Sequence, residues 1–240
     1  MPIKVQLAVD MTCQSCVDDI HSVLSAVPGV AHIDISLDEK RVVVEGTAGP
    51  SAVLKALKDT GRAAVVRGTG SSNDGNIGAA VCILEEDRAH SNATRGLARF
   101  VQVSESTCFV DIGVSGIPDG SHAVAIHECG DLSQVPKSCG KHWKEEDEEE
   151  GGAGHRGDLG SLVVKDGWGE LSFETDRFKV WEIIGRSVVV IAAGTDDAEC
   201  ILAGVVARSA GLFENDKQVC ACSGNTLWTE QRLVEQGQRL

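Results

Sequence analysis

The sequence has little basic charge and no long apolar run. Lys and Arg number 22 against 36 Asp and Glu, which gives a formal net charge of −14. Such an acidic surface repels phosphate backbones, so nucleic acid is not an expected partner. No stretch of about 18 or more apolar residues occurs, so we expect no membrane span. Tyrosine is absent and aromatic residues make up 4% of the chain, which by itself excludes no function.

A secretory signal is also missing from the first residues. The segment from Met1 to Gln6 has no basic start that leads into an apolar run, so we expect a cytoplasmic protein. Nine cysteines are many for such a protein. In a reducing compartment, clustered cysteines more often bind metal or do redox chemistry than form static bridges. Because nine is odd, at least one thiol stays out of any disulfide.

The first region, residues 1–68, predicts a ferredoxin-like βαββαβ domain. Apolar residues alternate over Ile3–Val9, as in a strand, and recur at helical spacing over Cys16–Val27, where a Pro-Gly pair ends the helix. Pro50 opens a second helix. The remaining predicted strands are Val30–Leu37, Arg41–Glu45 and Ala63–Val66.

Three further regions follow along the chain. Residues 69–76 contain nothing apolar and predict a flexible linker. Over residues 77–213, short apolar or alternating runs between glycine-rich turns predict an all-β sandwich or barrel. The acidic run from Lys144 to Glu150 within it predicts a solvated loop. Residues 214–240 are polar and predict an irregular tail.

Two thiols in the first region point to a soft metal ion. Cys13 and Cys16 belong to a Met-Thr-Cys-Gln-Ser-Cys motif at 11–16, between the first strand and the first helix, where the helix N-terminus favours thiolates. Sulfur ligands select copper(I) or zinc, and two thiols leave a tetrahedral zinc site incomplete, so copper(I) is the expected ion. The alternatives are two incidental cysteines or a thioredoxin-like redox pair, whose order of elements is absent here. This region resembles the heavy-metal-associated domain of copper chaperones and copper-pumping ATPases.

The second region resembles copper/zinc superoxide dismutase. The resemblance implies a Greek-key β-barrel over most of residues 77–213. The motifs that carry it are His122-Ala-Val-Ala-Ile-His127-Glu-Cys-Gly-Asp131, His155-Arg-Gly-Asp158-Leu-Gly160 and Ile184-Gly-Arg-Ser187.

The resemblance also implies that the copper site of the barrel is incomplete. The family pattern has four histidine ligands, and here Ala125 and Ile191 stand at two of their positions. His127 and His142 are left as a residual copper site. Two histidines cannot hold a copper that cycles between two oxidation states, so we expect no dismutase activity.

The possible zinc site in the barrel has two interpretations. The family's zinc ligands are three histidines and an aspartate, and the matching positions here are His142, Glu150, His155 and Asp158. Carboxylate can replace imidazole on zinc, so a His-Glu-His-Asp site is one reading. The other is an empty loop with satisfied or solvated histidines.

The disulfide of the dismutase family is displaced or lost. Alignment with that family places Pro136 and Ala203 at its cysteine positions. Cys139 and Cys200 each lie three residues away. They form either a displaced disulfide, if their Cα atoms come within about 7 Å, or two free thiols. The cysteines expected as small buried residues are Cys82, Cys108 and Cys129.

The tail completes a third resemblance. A metal-binding domain, a dismutase-like barrel and a Cys220-Ala-Cys222 tail, in this order, resemble the family of copper chaperones for superoxide dismutase. Two thiols two positions apart in an extended segment point to the same side, so Cys220 and Cys222 can share copper(I) or exchange disulfides with a target. The resemblance implies that Cys13 and Cys16 acquire copper(I), and that the tail promotes copper insertion into the target and formation of its disulfide.

The partner implied by the resemblance is copper/zinc superoxide dismutase, bound as a heterodimer. The segments expected at the docking face are Cys129–Leu132, Ile184-Gly185 and Val205–Ala210. The apolar character of Leu132, Ile184, Val205 and Val206 suits a dimer patch. Without the target, the same face implies a homodimer. The resemblance allows minor mitochondrial intermembrane or nuclear pools beside the cytoplasm. Two alternatives remain: a thiol-based copper and zinc buffer, and an atypical dismutase with replacement ligands.

Overall fold

The computed structural model describes residues 1–72, 77–86, 94–144, 155–192, 200–215 and 228–229. Glu150, Cys220 and Cys222 lie outside these ranges, as do residues 145–149 of the acidic run. The described residues form two compact units. The first unit contains residues 1–79 and 101–105 and the described part of the segment that starts at Ser209, and the second contains the described residues of 80–100 and 106–208.

The first unit has the predicted βαββαβ order, which is thereby confirmed. Its antiparallel sheet has the strand order β2-β3-β1-β4. Buried residues of β1, such as Val5 and Leu7, and of the two helices, such as Leu24 and Leu57, form the apolar interior. Its elements are β1 (Ile3–Val9), α1 (Gln14–Ser25), β2 (Val30–Ser36), β3 (Arg41–Gly46), α2 (Pro50–Asp59) and β4 (Ala64–Ser71).

Most boundaries in this unit lie within two residues of the sequence prediction, and two of the differences bear on the candidate sites. Helix α1 begins at Gln14 rather than Cys16, because the extended backbone of Cys13 caps it and the Cys13 carbonyl accepts the first helical hydrogen bonds. Strand β4 continues to Ser71, which pairs with Ile3 of β1. Residues 69–71 therefore belong to the sheet and not to the predicted linker.

The second unit is a closed eight-stranded barrel with the order β10-β7-β6-β5-β12-β11-β8-β9, which confirms the predicted β-barrel. Strands that are not consecutive in the chain, such as β7 and β10 or β8 and β11, are hydrogen-bonded neighbours, as Greek-key connections require. Buried side chains including Phe100, Ile126 and Leu162 fill the interior. Its elements are β5 (Ala79–Glu86), β6 (Thr94–Gln102), β7 (Cys108–Ser115), β8 (Gly120–His127), β9 (Asp158–Lys165), β10 (Trp168–Thr175), α3 (Val180–Ile183), β11 (Ser187–Ile191) and β12 (Cys200–Arg208).

The barrel ends earlier than the sequence predicted. Strand β12 stops at Arg208, and the described residues after it group with the first unit rather than with the barrel. The boundary predicted at residue 213 therefore moves to 208. Among the described residues, no helix is long and apolar enough to cross a membrane.

Candidate metal sites and docking face

The loop between β1 and α1 brings two thiols together. Cys13 is the residue that caps α1 and Cys16 lies in its first turn, so that their sulfur atoms are 3.4 Å apart. Cys13 is exposed and Cys16 is half-buried. The side chain of Met11 is buried in the interior of the unit and anchors the start of this loop. The pair can therefore bind one ion from the solvent side without a change in the backbone.

Hydrogen bonds prepare one of these thiols for metal binding. They lower the pKa of Cys16 to about 6, through the backbone at Thr12 first, then the Cys13 thiol and the Arg62 side chain. The interaction is mutual, because the hydrogen bond with Cys16 raises the pKa of Arg62. Arg62 also donates a hydrogen bond to Asp19 at 2.9 Å. A large part of Cys16 is therefore thiolate at neutral pH.

Arg62 was not predicted from the sequence as part of the thiol site. The residue follows Gly61 in the loop between α2 and β4, about 45 positions after the thiols, so no local spacing linked it to Cys16. The only signal was that a basic side chain stands in a loop at the same end of the predicted sheet as the metal motif.

We expect Arg62→Ala to raise the pKa of Cys16 above its value of about 6. The rise is partial, because the hydrogen bonds from Thr12 and Cys13 remain. The rate of Cys16 alkylation as a function of pH, resolved by mass spectrometry, measures this pKa. Arg62→Lys is the matched control, since it keeps the positive charge and a donor. An unchanged alkylation profile in Arg62→Ala would contradict the assignment.

In the barrel, His127 and His142 face each other across a β-bridge. Their ring centroids are 4.9 Å apart. His127 donates a hydrogen bond from Nδ1 to the Gly140 carbonyl at 2.9 Å, which leaves a lone pair on Nε2. That Nε2 is buried and has no hydrogen-bond partner. Burial lowers the pKa of His127, so the ring stays neutral and able to bind a metal.

The predicted zinc ligands are partly brought together. Asp158 accepts hydrogen bonds from His142 Nδ1 and from the backbone N–H of His155, each at 2.7 Å. The rings of His142 and His155 are 6.2 Å apart. Glu150 lies outside the described residues. Within the described ranges, no three or more His, Cys, Asp or Glu side chains are arranged to hold a metal ion, and the zinc site stays a prediction.

An apolar side chain stands at one of the two positions where the dismutase resemblance predicts a lost copper ligand. Ile191 lines the same open cavity of about 410 Å³ as His127, His142 and His155. Ala125, at the other lost position, is buried in β8 and offers no donor atom. The remaining cavity wall is formed by Pro136, Lys137, Gly140, Lys141 and Lys144.

Cys139 and Cys200 lie in one small apolar cluster, and neither takes part in a disulfide in this structure. The Cys139 thiol donates a hydrogen bond to the Asp131 carbonyl, and burial raises its pKa. The cluster holds the loop before His142 against β11 and β12, through Val189 and Ala203. The displaced disulfide stays a prediction. Cys82 and Cys108 are buried as expected.

Cys129 contradicts the expectation of a buried thiol, because it is exposed. It follows the end of β8, beyond the part of the strand whose side chains enter the barrel. Its carbonyl accepts a hydrogen bond from the Ser187 hydroxyl at 2.7 Å. Its thiol therefore lies on the outer surface beside the predicted docking face.

The segments of the predicted docking face converge. A Cβ on Gly130 would lie 2.3 Å from the Gly185 carbonyl oxygen and 3.2 Å from a methyl group of Val205, so only glycine fits. Val205 is 37% exposed. Leu132 and Ile184 are half-buried at the margins of the two apolar clusters.

One predicted residue of the face is wrong and one was missed. Val206 is buried in the barrel interior, because successive residues of β12 point to opposite sides. Ala203 pairs with Glu85 and Val206 with Cys82, so Val205 lies opposite Ile83 on the outer surface. Ile83 is 51% exposed and extends the apolar patch onto β5.

Comparisons with known proteins match both units. A model of the heavy-metal-associated domain matches residues 6–63, and a model of copper/zinc superoxide dismutase matches residues 94–211. The copper chaperone for superoxide dismutase of Mus musculus is 39% identical, over 97% of this chain and 90% of its own length. The human protein of the same name is 37% identical, over 94% of this chain and 88% of its own. The superoxide dismutase 1 copper chaperone of Saccharomyces cerevisiae is 36% identical, over 94% of this chain and 92% of its own.

Proposed function

Because the chain belongs to the family of copper chaperones for superoxide dismutase, we propose that it carries copper(I) on Cys13 and Cys16 and delivers it to a dismutase subunit docked on its barrel. The observation that carries the proposal is the thiol pair at the start of α1, with sulfur atoms 3.4 Å apart and one pKa lowered to about 6. The thiolate is the form that binds metal, so Cys16 needs little further deprotonation near neutral pH.

The geometry of this pair suits a metal that is passed on. Two thiolates satisfy copper(I) only partly, and they lie at the surface. A third thiolate from a target can therefore bind the ion before one of the first two leaves. The metal moves by ligand exchange and is never released into water. Arg62 next to Cys16 balances the negative charge of the thiolates.

The barrel supplies the docking surface. Gly130 and Gly185 bring two loops into backbone contact, and Val205 and Ile83 present apolar side chains beside them. An apolar patch on flat backbone suits a two-fold dimer contact. A dismutase subunit of the same fold would take the place of a second copy and form a heterodimer. Without the target, two copies of this chain would form a homodimer through the same face.

The tail supplies the last thiols. Cys220 and Cys222, outside the described residues, would receive the copper, or, once oxidised to a disulfide, would be attacked by a target thiolate to form a mixed disulfide. The second target thiolate then displaces the tail sulfur, so that the target gains its disulfide and both tail thiols are released. Formation of the target's disulfide removes two electrons and two protons from its thiols. An oxidant such as dioxygen must accept them. Thiol–disulfide exchange on the target is the only covalent chemistry in the proposal.

The barrel's own metal role is confined to zinc. His142, His155 and Asp158 are already joined through the carboxylate, and Glu150 would complete the set of four ligands. Bound zinc would be structural and would hold the loop that precedes β9. The residual copper pair, His127 and His142, has an apolar wall where a further ligand would be needed.

A thiol-based metal buffer is the second candidate function. The same thiol pair would serve it equally well. The exposed apolar pair of Val205 and Ile83 favours the chaperone, because a buffer has no use for a docking surface that exposes apolar area to water.

We expect the chain loaded with copper and zinc to show no dismutase activity above the uncatalysed rate, once a chelator has removed the unbound metal. The reason is that Ala125 and Ile191 provide no ligand to hold copper in both oxidation states. A superoxide assay with genuine copper/zinc superoxide dismutase as the positive control makes the measurement. Turnover close to that of the control would contradict the proposal and favour an atypical dismutase.

A further inference from the structure

The chain that leaves the barrel returns to the sheet of the first unit. Residues 209–213, here called the strap, follow directly after β12 and belong to the first unit. Within the strap, Gly211 forms a parallel β-bridge with Thr69 of β4. Strand β4 is the edge of its sheet, where backbone groups would otherwise lack a strand partner. The strap therefore lies against this edge and is held to it by a single backbone bridge.

The surface of β4 is shaped to receive the strap. A Cβ on Gly68 would lie 2.3 Å from the Gly211 carbonyl oxygen, and one on Gly70 would lie 3.2 Å from the Leu212 Cβ. Neither glycine has a positive φ, so the backbone would accept a side chain at both positions. The missing side chains are explained by the close approach of the strap and not by a turn.

A buried polar side chain fixes the end of the strap. Gln6 of β1 is fully buried, and its Oε1 accepts a hydrogen bond from the Phe213 N–H at 2.8 Å. Val5 and Leu7 are the neighbours of Gln6 in the strand, so Gln6 lies on the opposite face of the sheet. The guanidinium of Arg41 lies 5.7 Å from the centre of the Phe213 ring on that side.

The backbone at this point is held in an unfavourable conformation. Phe213 has a φ of 62°, which lies in a backbone region that residues other than glycine rarely adopt. A turn next to it is closed by the Gly211 N–H, which donates to the Glu214 carboxylate at 2.7 Å. Such a conformation persists only where surrounding contacts determine it. The bridge, the glycine pair and the Gln6 hydrogen bond provide those contacts.

We propose that the strap ties the segment after the barrel to the metal-binding unit, so that the tail starts from the body that holds Cys13 and Cys16. Residues 1–72, which hold the thiol pair, are then joined to the rest of the chain by the backbone at residues 73–79 and also by the contacts of Thr69 and Gln6 with the strap. Removing one connection leaves the other. The existence of the strap is independent of copper delivery, while its use in passing copper from the thiol pair to the tail rests on the proposed function.

The test cleaves the backbone between the thiol-bearing residues and the barrel, and measures whether the strap alone keeps the two fragments together. A protease recognition site placed in residues 73–76 of the full chain allows the polypeptide to be cleaved there. We expect the N-terminal fragment to stay bound to the remainder and to co-elute with it in size-exclusion chromatography. Free N-terminal fragment after cleavage within residues 73–76, with the strap unchanged, would overturn the proposal.

Two variants remove the strap from the sheet. Leu212→Asp alters only the strap, and Gly68→Val fills the space that the Gly211 carbonyl occupies. Each is expected to raise the dissociation constant of the cleaved fragment at least about tenfold, and to speed amide hydrogen exchange in β4 of the uncleaved chain. Gly61→Asn is the matched control, because nothing lies within 4 Å of a Cβ there and Asn tolerates its positive φ.

These measurements test the strap independently of the proposed copper delivery. Fragment association and hydrogen exchange are measured without metal, so failure of copper delivery leaves them unchanged. Leu212→Asp keeps the proposal testable if Gly68→Val does not fold. Variants that bind the fragment as tightly as the wild-type strap would show that the strap is not the connection.

Discussion

Replacing both Cys13 and Cys16 with serine is expected to remove high-affinity copper(I) binding from the first unit. Both sulfur ligands are lost, and hydroxyl groups are poor ligands for a soft ion. Structural zinc sites in zinc-finger peptides have apparent binding energies of about 10–16 kcal/mol. On that scale, loss of both thiolates is expected to lower the copper(I) affinity about a thousandfold or more, at about 1.4 kcal/mol per factor of ten. Competition with a coloured copper(I) chelator measures the change.

The background and control of this experiment follow from the other thiols. Cys220→Ser/Cys222→Ser is introduced first, so that only the first pair is measured. Cys129→Ser is the matched control, because it removes an exposed thiol on the other unit. Binding by the wild-type pair should weaken as the pH falls through about 6, where Cys16 gains a proton. Unchanged affinity in the Cys13→Ser/Cys16→Ser variant would contradict the assignment.

Val205→Asp is expected to weaken the heterodimer with dismutase at least about a hundredfold, which corresponds to about 2.7 kcal/mol. The substitution places a carboxylate at the centre of the proposed apolar contact, where it would lose its water without gaining a partner. Ile83→Asp, on the opposite strand, is expected to act in the same direction. Analytical ultracentrifugation or native mass spectrometry of the mixture measures the dissociation constant.

Val163→Asp is the matched control for the docking face. Val163 is 64% exposed on β9, and two strands, β8 and β11, separate β9 from β12 in the barrel. It therefore introduces the same charge on the outer surface of the barrel but away from the face. If Val205→Asp and Val163→Asp both bind dismutase as tightly as the wild-type chain, the proposed face is refuted. If both bind equally weakly, the effect of the charge is non-specific.

The elements of the first unit could be predicted because each carries a local signal. Alternating apolar residues marked Ile3–Val9 and Pro50 marked the start of α2, and the structure has both. The start of α1 was predicted two residues late, because apolar spacing marks only the buried side of a helix. The cap at Cys13 is a backbone feature that this spacing does not contain.

The end of β4 could not be predicted from its own residues. Thr69, Gly70 and Ser71 carry no apolar alternation and were taken as linker. Their burial depends on the strap, which lies about 140 positions later in the chain. A contact at this separation leaves no trace in a local pattern. The paired glycines of β4 were the one visible sign, and they indicate close approach only once a partner is known.

The family resemblance predicted the residues of the docking face only in part. It identified the segments around Gly130, Gly185 and Val205, which the structure brings together. It placed Val206 on the face, although strand alternation alone would have put it in the interior with its partner Cys82. Alternation along β5 would likewise have placed Ile83 outside, between the buried Cys82 and Leu84. Combining motif and strand period would have given the observed face.

The most direct test of copper delivery is the activation of copper-free dismutase. The target is loaded with zinc and kept disulfide-reduced, and the chain carrying copper(I) is the only source of copper. Dioxygen and a strong copper(I) chelator are present throughout. The account predicts that dismutase activity appears despite the chelator, and that it is lost with Cys220→Ser/Cys222→Ser. Failure of the intact chain to activate the target under these conditions would contradict delivery and leave a thiol-based metal buffer as the function.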